Sequence, residues 1–376
     1  MGPSKPLKGK LVVALEQAVA APYCTARLAD AGARVIKIER PEGDFARGYD
    51  DTARGQASYF VWLNRGKQSV VLDLSKPEAK AHLSAMIAKA DVLVQNFKPG
   101  ALDRMGFAIE DLRRAYPRLI CCSISGYGDT GPLASRKAYD LLIQAESGLA
   151  SITGGPESAA RVGISIVDIA TGAVAYSSIL EALIAREGSG EGADIRVSMF
   201  DVMADWLAVP LLHAEAGKPP KRLGLRHPSI APYGVFRSAD GVEVLISIQN
   251  EREWAMLCAQ VLEEPDLPKA PGFTDNVARV KNRAEVDARV GAAFGRLPRT
   301  ELLERLTKAD IGFAEVNDMD ALAHHPHLRR AVVDSPAGPI ALPAPAPLVD
   351  GQADSFGPVP ALGADTAAVL AEFPAQ

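Results

Sequence analysis

The sequence has no unbroken run of about 18 apolar residues, the length a membrane-crossing helix needs. Its opening residues, Met1-Gly-Pro-Ser-Lys-Pro6, hold no apolar core of the kind a secretory leader carries. These two absences predict a protein that is neither secreted nor membrane-spanning. Cysteine is scarce, with four residues (Cys24, Cys121, Cys122 and Cys258) at spacings that match neither a disulfide framework nor a zinc site. Cys121 and Cys122 fall inside an apolar run, which suits small buried hydrophobes in a reducing cytoplasm. An excess of positive charge is also missing. The formal net charge is −5, which disfavours nucleic acid and anionic membrane surfaces as partners. The turn after the first apolar run, Glu16-Gln-Ala-Val-Ala-Ala-Pro22, has no G-x-G-x-x-G, and no Walker lysine loop occurs. NAD or ATP held by the usual glycine loops is therefore disfavoured. Gly-x-Ser-x-Gly is absent too, which excludes hydrolases built on that elbow. His324-His325-Pro326-His327 has no acidic or cysteine partner at matching spacing, and Pro326 breaks the local geometry, so no metal site is expected.

What is present is a regular alternation. Leu11–Leu15, Arg34–Glu39, Ser69–Leu74, Asp91–Gln95 and Leu119–Ser125 have the pattern of buried strands. Between them, Pro22–Ala33, Pro77–Lys89, Ala101–Met105 and Ile109–Ala115 have the pattern of helices. Alternating strands and helices imply βαβ units on a parallel sheet, so the first half is an α/β domain of nucleotide-binding type. A strand over Ala193–Met199 and a helix over Phe200–Ala216 follow. The composition then shifts at Gly217-Lys-Pro-Pro-Lys-Arg, which sets a boundary near residue 220. Tyr233–Ser247 has the pattern of a hairpin turning at Asp240-Gly241, and helices are expected over Glu253–Leu262, Arg283–Phe294 and Thr300–Ala309. The expected organisation is a large α/β domain over 1–220, a small α+β domain over 221–335, and a segment over 336–376 that returns to the large domain.

One stretch focuses the chemistry. In Arg161-Val-Gly-Ile-Ser-Ile-Val-Asp168-Ile-Ala-Thr-Gly172, an apolar run delivers one carboxylate to the start of a long helical pattern that stops at Arg186-Glu-Gly188. Asp168 can be an N-cap, accepting backbone N–H bonds. Capping is the default role on this stretch alone; the sharper reading is a nucleophilic carboxylate that the helix N–H groups and dipole keep ionised. Arg40, Lys98, Arg104 and Lys137 each follow a predicted strand, at sheet ends where basic groups suit phosphates, or where they are plain solvated charges. Asn96-Phe97 suits an adenine or ribose. Arg226-His227, in a Gly/Pro-rich loop, suits a carboxylate or a structural turn.

Together these segments resemble the class III CoA-transferase family, which includes formyl-CoA:oxalate and carnitine CoA-transferases and also α-methylacyl-CoA racemases. The resemblance is carried by Ala33–Pro41 with Gly43-Asp44, Asn64–Lys67 before Leu72-Asp73, Asp91–Gly100 and Ser125–Gly128. It continues through Tyr139-Asp140 with Gln144, Asp168-Ile-Ala-Thr-Gly172, Phe273–Asn276 and Leu362-Gly363, so it covers nearly the whole chain. It implies a Rossmann-like parallel-sheet large domain, a smaller α+β domain, and ring-like chains interlocked as a homodimer. It implies Asp168 as the catalytic nucleophile, passing through an acyl anhydride and an aspartyl-CoA thioester. It places coenzyme A against Arg40, Leu72, Asn96, Phe97, Arg104, Lys137 and Tyr139. CoA and acyl-CoA would be substrates, with no permanently bound cofactor. The racemases of the family carry His-Asp where this chain has Tyr139-Asp140, and losing the imidazole disfavours proton transfer. Racemisation is thus the second reading, and a non-catalytic CoA-binding protein the third. The loop Gly224–Gly234 replaces the glycine-rich run of the oxalate enzymes. It resembles relatives that act on C4–C5 dicarboxylates, with Arg226 and His227 as carboxylate contacts.

Overall fold

The computed structural model describes residues 5–353 and 355–375 and divides into two compact units. The first comprises residues 1–149, 161–209 and 329–376, and the second residues 150–160 and 210–328. The sequence-based boundaries at 220 and 335 lie 11 and 7 residues beyond these crossings at 209 and 328, and the sequence places the short segment 150–160 in the large domain.

The first unit is built on a parallel sheet of six strands, β1 (Leu11–Leu15), β2 (Arg34–Glu39), β3 (Lys67–Val71), β4 (Val92–Gln95), β5 (Ile120–Ser125) and β6 (Asp194–Ser198). Their order is β3-β2-β1-β4-β5-β6, so β1 pairs with β2 on one side and β4 on the other. Successive side chains of a strand point to opposite faces, and both faces here are covered. Val12, Ala14, Val35, Val92, Val94 and Cys122 pack under the first helix (Ala20–Asp30) and the Asp168 helix (Ile166–Ser189). Val13, Leu15, Ile36, Ile38, Leu93 and Cys121 pack under the helix Pro77–Ile87 and the C-terminal helix Thr366–Glu372. Burial on both faces explains the unbroken apolar strand runs. All four cysteines are buried and unpaired.

The two helices over β1 cross closely at Gly172. A Cβ there would lie 2.4 Å from the Ala20 carbonyl oxygen and 3.0 Å from Tyr23 Cβ. The adjoining Thr171 is fully buried and returns its hydroxyl to the Val167 carbonyl at 2.7 Å. The Thr-Gly pair after Asp168 is thus a packing device. The Asp168 helix is long and apolar enough to cross a membrane by composition alone. Its buried residues line the core, while Ile184 on its outer side is 75% exposed.

The tail is tied to the first unit. Asp365 accepts the Ser69 N–H at 2.9 Å, Thr366 Oγ1 accepts the Val71 N–H at 3.0 Å, and Glu372 pairs with Arg34 at 2.6 Å. The second unit holds the antiparallel sheet β7 (Tyr233–Arg237), β8 (Glu243–Ser247) and β9 (Gly312–Glu315), with helices packed around Trp254, Phe273 and Phe294. The helix expected over 200–216 is two helices, Met199–Trp206 and Ala208–Glu215, because Leu207 leaves the helical backbone.

Candidate functional site

In a doubly wound sheet, ligands bind beyond the carboxyl ends of the strands, where the connections reverse direction. Here that point lies between β1 and β4. Gln17, just after β1, and Asn96, just after β4, join across it. The Gln17 N–H donates to Asn96 Oδ1 and Asn96 Nδ2 donates to the Gln17 carbonyl, both at 2.9 Å. The Asn96 side chain, expected to touch the nucleotide, is thus already engaged with this backbone.

Two clefts flank the crossing. One, of about 340 Å³, opens over the ends of β1, β4 and β5 and is lined by Gln17, Ala18, Tyr49, Tyr59, Phe97, Lys98, Lys137, Tyr139, Arg161 and Asp168, among others. The second, of about 260 Å³, opens over the ends of β1, β2 and β3 and is lined by Arg40, Leu72, Asp73 and Phe97. Phe97 belongs to both walls, so the ring stands where the clefts meet. Of the residues proposed for CoA, Asn96, Phe97, Lys137 and Tyr139 share the Asp168 cleft, and Arg40 and Leu72 share the second. Arg104 lines neither; it sits in the last turn of Ala101–Met105, near Gly100. The four basic positions therefore do not gather at one point.

The loop after β1 rests on buried charge. Ala18 adopts φ 64°, a left-handed conformation uncommon for a residue with a side chain. Its N–H donates to Asp44 Oδ1 at 3.2 Å. Asp44 Oδ2 pairs with Lys37 at 2.8 Å, Lys37 lies 3.4 Å from Glu16, and Glu16 pairs with Lys67 at 2.7 Å. Burial alone would raise the Glu16 carboxyl, but Lys67 and Lys37 outweigh it and hold it below its ordinary value. Burial pushes the Lys67 ammonium down to about 8, the nearby Glu16 only partly opposing it. Such pairs persist because each charge has a partner.

Asp168 is the third residue of its helix, after the N-cap Ser165. It is not the cap. Asp140, on the helix Asp140–Glu146, takes the helix's leading donors, accepting from the Val167 N–H at 2.7 Å and the Asp168 N–H at 3.3 Å through Oδ1. The Ser165 hydroxyl turns instead to Tyr59, 2.9 Å away. Among the described residues, the Asp168 carboxylate has no hydrogen-bond donor or ion-pair partner. Burial, then the charge of Asp140, raise its pKa from 3.8 to about 7. The expectation that the helix dipole would keep Asp168 ionised is thus corrected, because another carboxylate occupies the positive end. Tyr49 is close enough for Asp168 to contribute to raising its phenol to about 12, with burial the larger cause.

Arg226 and His227 belong to the second unit. The His227 ring stacks on Tyr233 at 5.2 Å and its Nδ1 accepts the Ser229 N–H at 3.1 Å. Arg283 donates to the carbonyl oxygens of His227 and Ile230. This accounts for His227 as a member of a braced loop.

Sequence reasoning assigned no role to Gln17, Tyr49, Tyr59, Arg161, Asp140 or Gln144 in the cleft and its support. For the last two a signal existed, since an acid and an amide four residues apart meet on one helix face.

The sequence from residue 7 to 366 matches the family model described as CoA-transferase family III. An acetyl-CoA:oxalate CoA-transferase of Acetobacter aceti is 40% identical over 328 residues, spanning 86% of this chain and 84% of that one. A succinate–glutarate CoA-transferase of Agrobacterium fabrum is 34% identical over 384 residues, spanning 98% and 96%. A crystal structure of a CAIB/BAIF family protein from Brucella suis superimposes with a TM-score of 0.84 at 34% identity, covering 99% of this chain and all of that one.

Proposed function

The chain belongs to CoA-transferase family III, and from that premise we propose that it moves CoA from a dicarboxylyl-CoA, succinyl-CoA foremost, to a free dicarboxylate through covalent attachment to Asp168. The observation that carries this reading is the carboxylate itself. It stands in a cleft at the sheet's switch point, without a hydrogen-bond donor or cation among the described residues, and burial raises its pKa to about 7.

A carboxylate without hydrogen-bond donors or a cation on it is a better nucleophile than one neutralised by them. Its oxygen adds to the thioester carbonyl, the C–S bond breaks and CoA leaves as thiolate, forming an acyl anhydride. The thiolate then attacks the Asp168 carbonyl and releases the donor acid, leaving an aspartyl-CoA thioester. The acceptor carboxylate attacks that thioester and expels the thiolate, and the thiolate in turn takes the acceptor acyl group, freeing Asp168. Each step exchanges one carboxylate or thiolate for another, so no net proton or electron is needed.

In this reading Phe97 and the cleft over β1–β3 hold the nucleotide end of CoA, with Arg40 near its phosphates and Leu72 against its base. Lys137 and Tyr139 face the pantetheine and acyl portion. Relatives named for succinate, glutarate and oxalate support a dicarboxylate acceptor. Arg161, in the same cleft as Asp168, offers a guanidinium for the acceptor's second carboxylate. The family resemblance supports an interlocked homodimer, and four unpaired buried cysteines suit a reducing cytoplasm.

The test is mass spectrometry of CoA thioesters after mixing the protein with succinyl-CoA and a pool of carboxylates that includes glutarate, mesaconate and oxalate. New thioesters with the wild type and none with Asp168→Ala are expected. Uptake of solvent deuterium at the α-carbon of a 2-methylacyl-CoA, with no acceptor present and no transfer to any, would replace this reading with a racemase.

A further inference from the structure

Asp140 precedes Val167 by 27 residues and sits on another helix, yet the fold delivers its Oδ1 onto the first free N–H groups of the Asp168 helix. Its second oxygen accepts from Gln144 Nε2 at 2.6 Å. The other end of that amide accepts the Val162 N–H at 2.8 Å, so Gln144 also holds the chain leading into Asp168. Gln144 is wholly buried and Asp140 nearly so. A charged cap buried beside a second carboxylate is a costly way to finish a helix, since like charges disfavour each other. A neutral hydroxyl stands at the N-cap in Ser165, but it is turned to Tyr59.

Resting on the reading of Asp168 as the nucleophile, we infer that Asp140 is a positioning residue that occupies the helix's leading donors and so keeps the Asp168 carboxylate uncapped and reactive. Two effects act together. A carboxylate that accepts two or three backbone N–H bonds is strongly stabilised as the anion and is correspondingly less basic; Asp140 denies Asp168 those bonds. The negative charge of Asp140 further opposes that of Asp168. The other titratable groups lining the cleft are the phenols Tyr49, Tyr59 and Tyr139 and the cations Lys98, Arg136, Lys137 and Arg161. Arg136 is paired with Glu146 at 3.1 Å. None of these makes an ion pair with Asp168 within 4.0 Å among the described residues.

The experiment titrates Asp168 directly, by carbon NMR of the full chain labelled at the aspartate carboxyl carbon, the signal being assigned by its loss in Asp168→Asn. Asp140→Asn keeps an oxygen for the helix and removes the charge, and the Asp168 midpoint is expected to fall by about one pH unit. Asp140→Ala also frees the two N–H groups, and a larger fall is expected. In Asp140→Asn the new amide nitrogen faces the Gln144 amide nitrogen, so Asp140→Asn/Gln144→Glu is made alongside to restore an acceptor there; it also returns a carboxylate to the same place, and its midpoint is expected to move back toward the wild type's. The acid limb of the kcat/KM profile for acyl-CoA should move with the NMR midpoint, which a purely structural cap would not cause. An unchanged midpoint in folded Asp140→Asn, or in folded Asp140→Ala, overturns the inference and leaves Asp140 an ordinary cap. A moved midpoint in a protein whose wild type transfers no CoA sinks the nucleophile reading while the control of Asp168 by Asp140 stands.

Discussion

Asp168 should weaken the fold it belongs to, and removing its charge should strengthen it. Its carboxyl binds its proton more tightly in the folded chain than in the unfolded one, with the value raised from 3.8 to about 7 by burial and then by Asp140. Folding therefore favours the protonated form. Below about pH 4 both states are protonated and nothing is lost. Between about pH 4 and pH 7 the unfolded state ionises first and gains free energy that the folded state does not. Above pH 7 the loss is complete and constant. At about 1.4 kcal/mol per unit, a rise of this size sets a ceiling of about 4 kcal/mol. Asp168 faces a cleft open to solvent, and screening there brings the expected value nearer about 1–2 kcal/mol. Asp168→Asn, which keeps shape and removes the charge, should then raise Tm by about 2–8 °C at pH 8, at about 2–4 °C per kcal/mol for a unit of this size. At pH 4 the gain should vanish. The assay is thermal unfolding of both proteins across pH 4–8 in matched buffers, followed by circular dichroism. A variant no more stable than the wild type at pH 8, or one whose advantage does not shrink toward pH 4, would refute the account of Asp168 as a destabilised carboxylate.

Three further outcomes are expected. Lys37→Met leaves Asp44 buried without its cation and should destabilise by about 3–5 kcal/mol in urea unfolding, because a buried charge stripped of its partner is costlier than the pair was worth; an effect below about 1 kcal/mol would mean that the site hydrates freely. Gly172→Ala forces a methyl to within 2.4 Å of the Ala20 carbonyl oxygen and should cost about 1–3 kcal/mol or more, with lower transfer activity as the Asp168 helix shifts; wild-type Tm would show that the helices can part without loss. Arg161→Gln should raise KM for dicarboxylate acceptors about tenfold or more while leaving KM for the acyl-CoA donor and for monocarboxylates within about twofold; an equal rise for all acceptors would assign Arg161 a structural role.

The strand runs, most helix ends and the arrival of Asp168 at a helix start were legible along the chain, because burial on two sheet faces and helix capping leave marks within a few neighbouring residues. The same local signals predicted the hairpin over Tyr233–Ser247. The charged supports were not legible. Lys37 and Lys67 look like solvent-facing positions of strands, and only the stacking of β1, β2 and β3 places them inside with Glu16 and Asp44. The single helix expected over 200–216 failed at a signal inside the segment. Pro210 has no N–H to offer the Trp206 carbonyl and its ring crowds that oxygen, so the first helix ends at Trp206 and a second starts with the proline in its first turn. The local stretch placed Asp168 at a helix start without distinguishing a cap from a nucleophile, and only the family resemblance implied the nucleophile.

The sequence by itself determined the α/β class and the family, and singled out Asp168 as the candidate carboxylate, since periodicity and motif are properties of contiguous residues. Only the tertiary structure decided the strand order β3-β2-β1-β4-β5-β6, which brings Gln17 to Asn96 and opens a cleft on each side of Phe97. It also decided that Asp140, from another helix, takes the N–H groups of the helix that carries Asp168. That choice depends on which of several acceptors reaches the same donors first in space, and a hydrogen bond between residues 27 positions apart leaves no periodic trace in either segment.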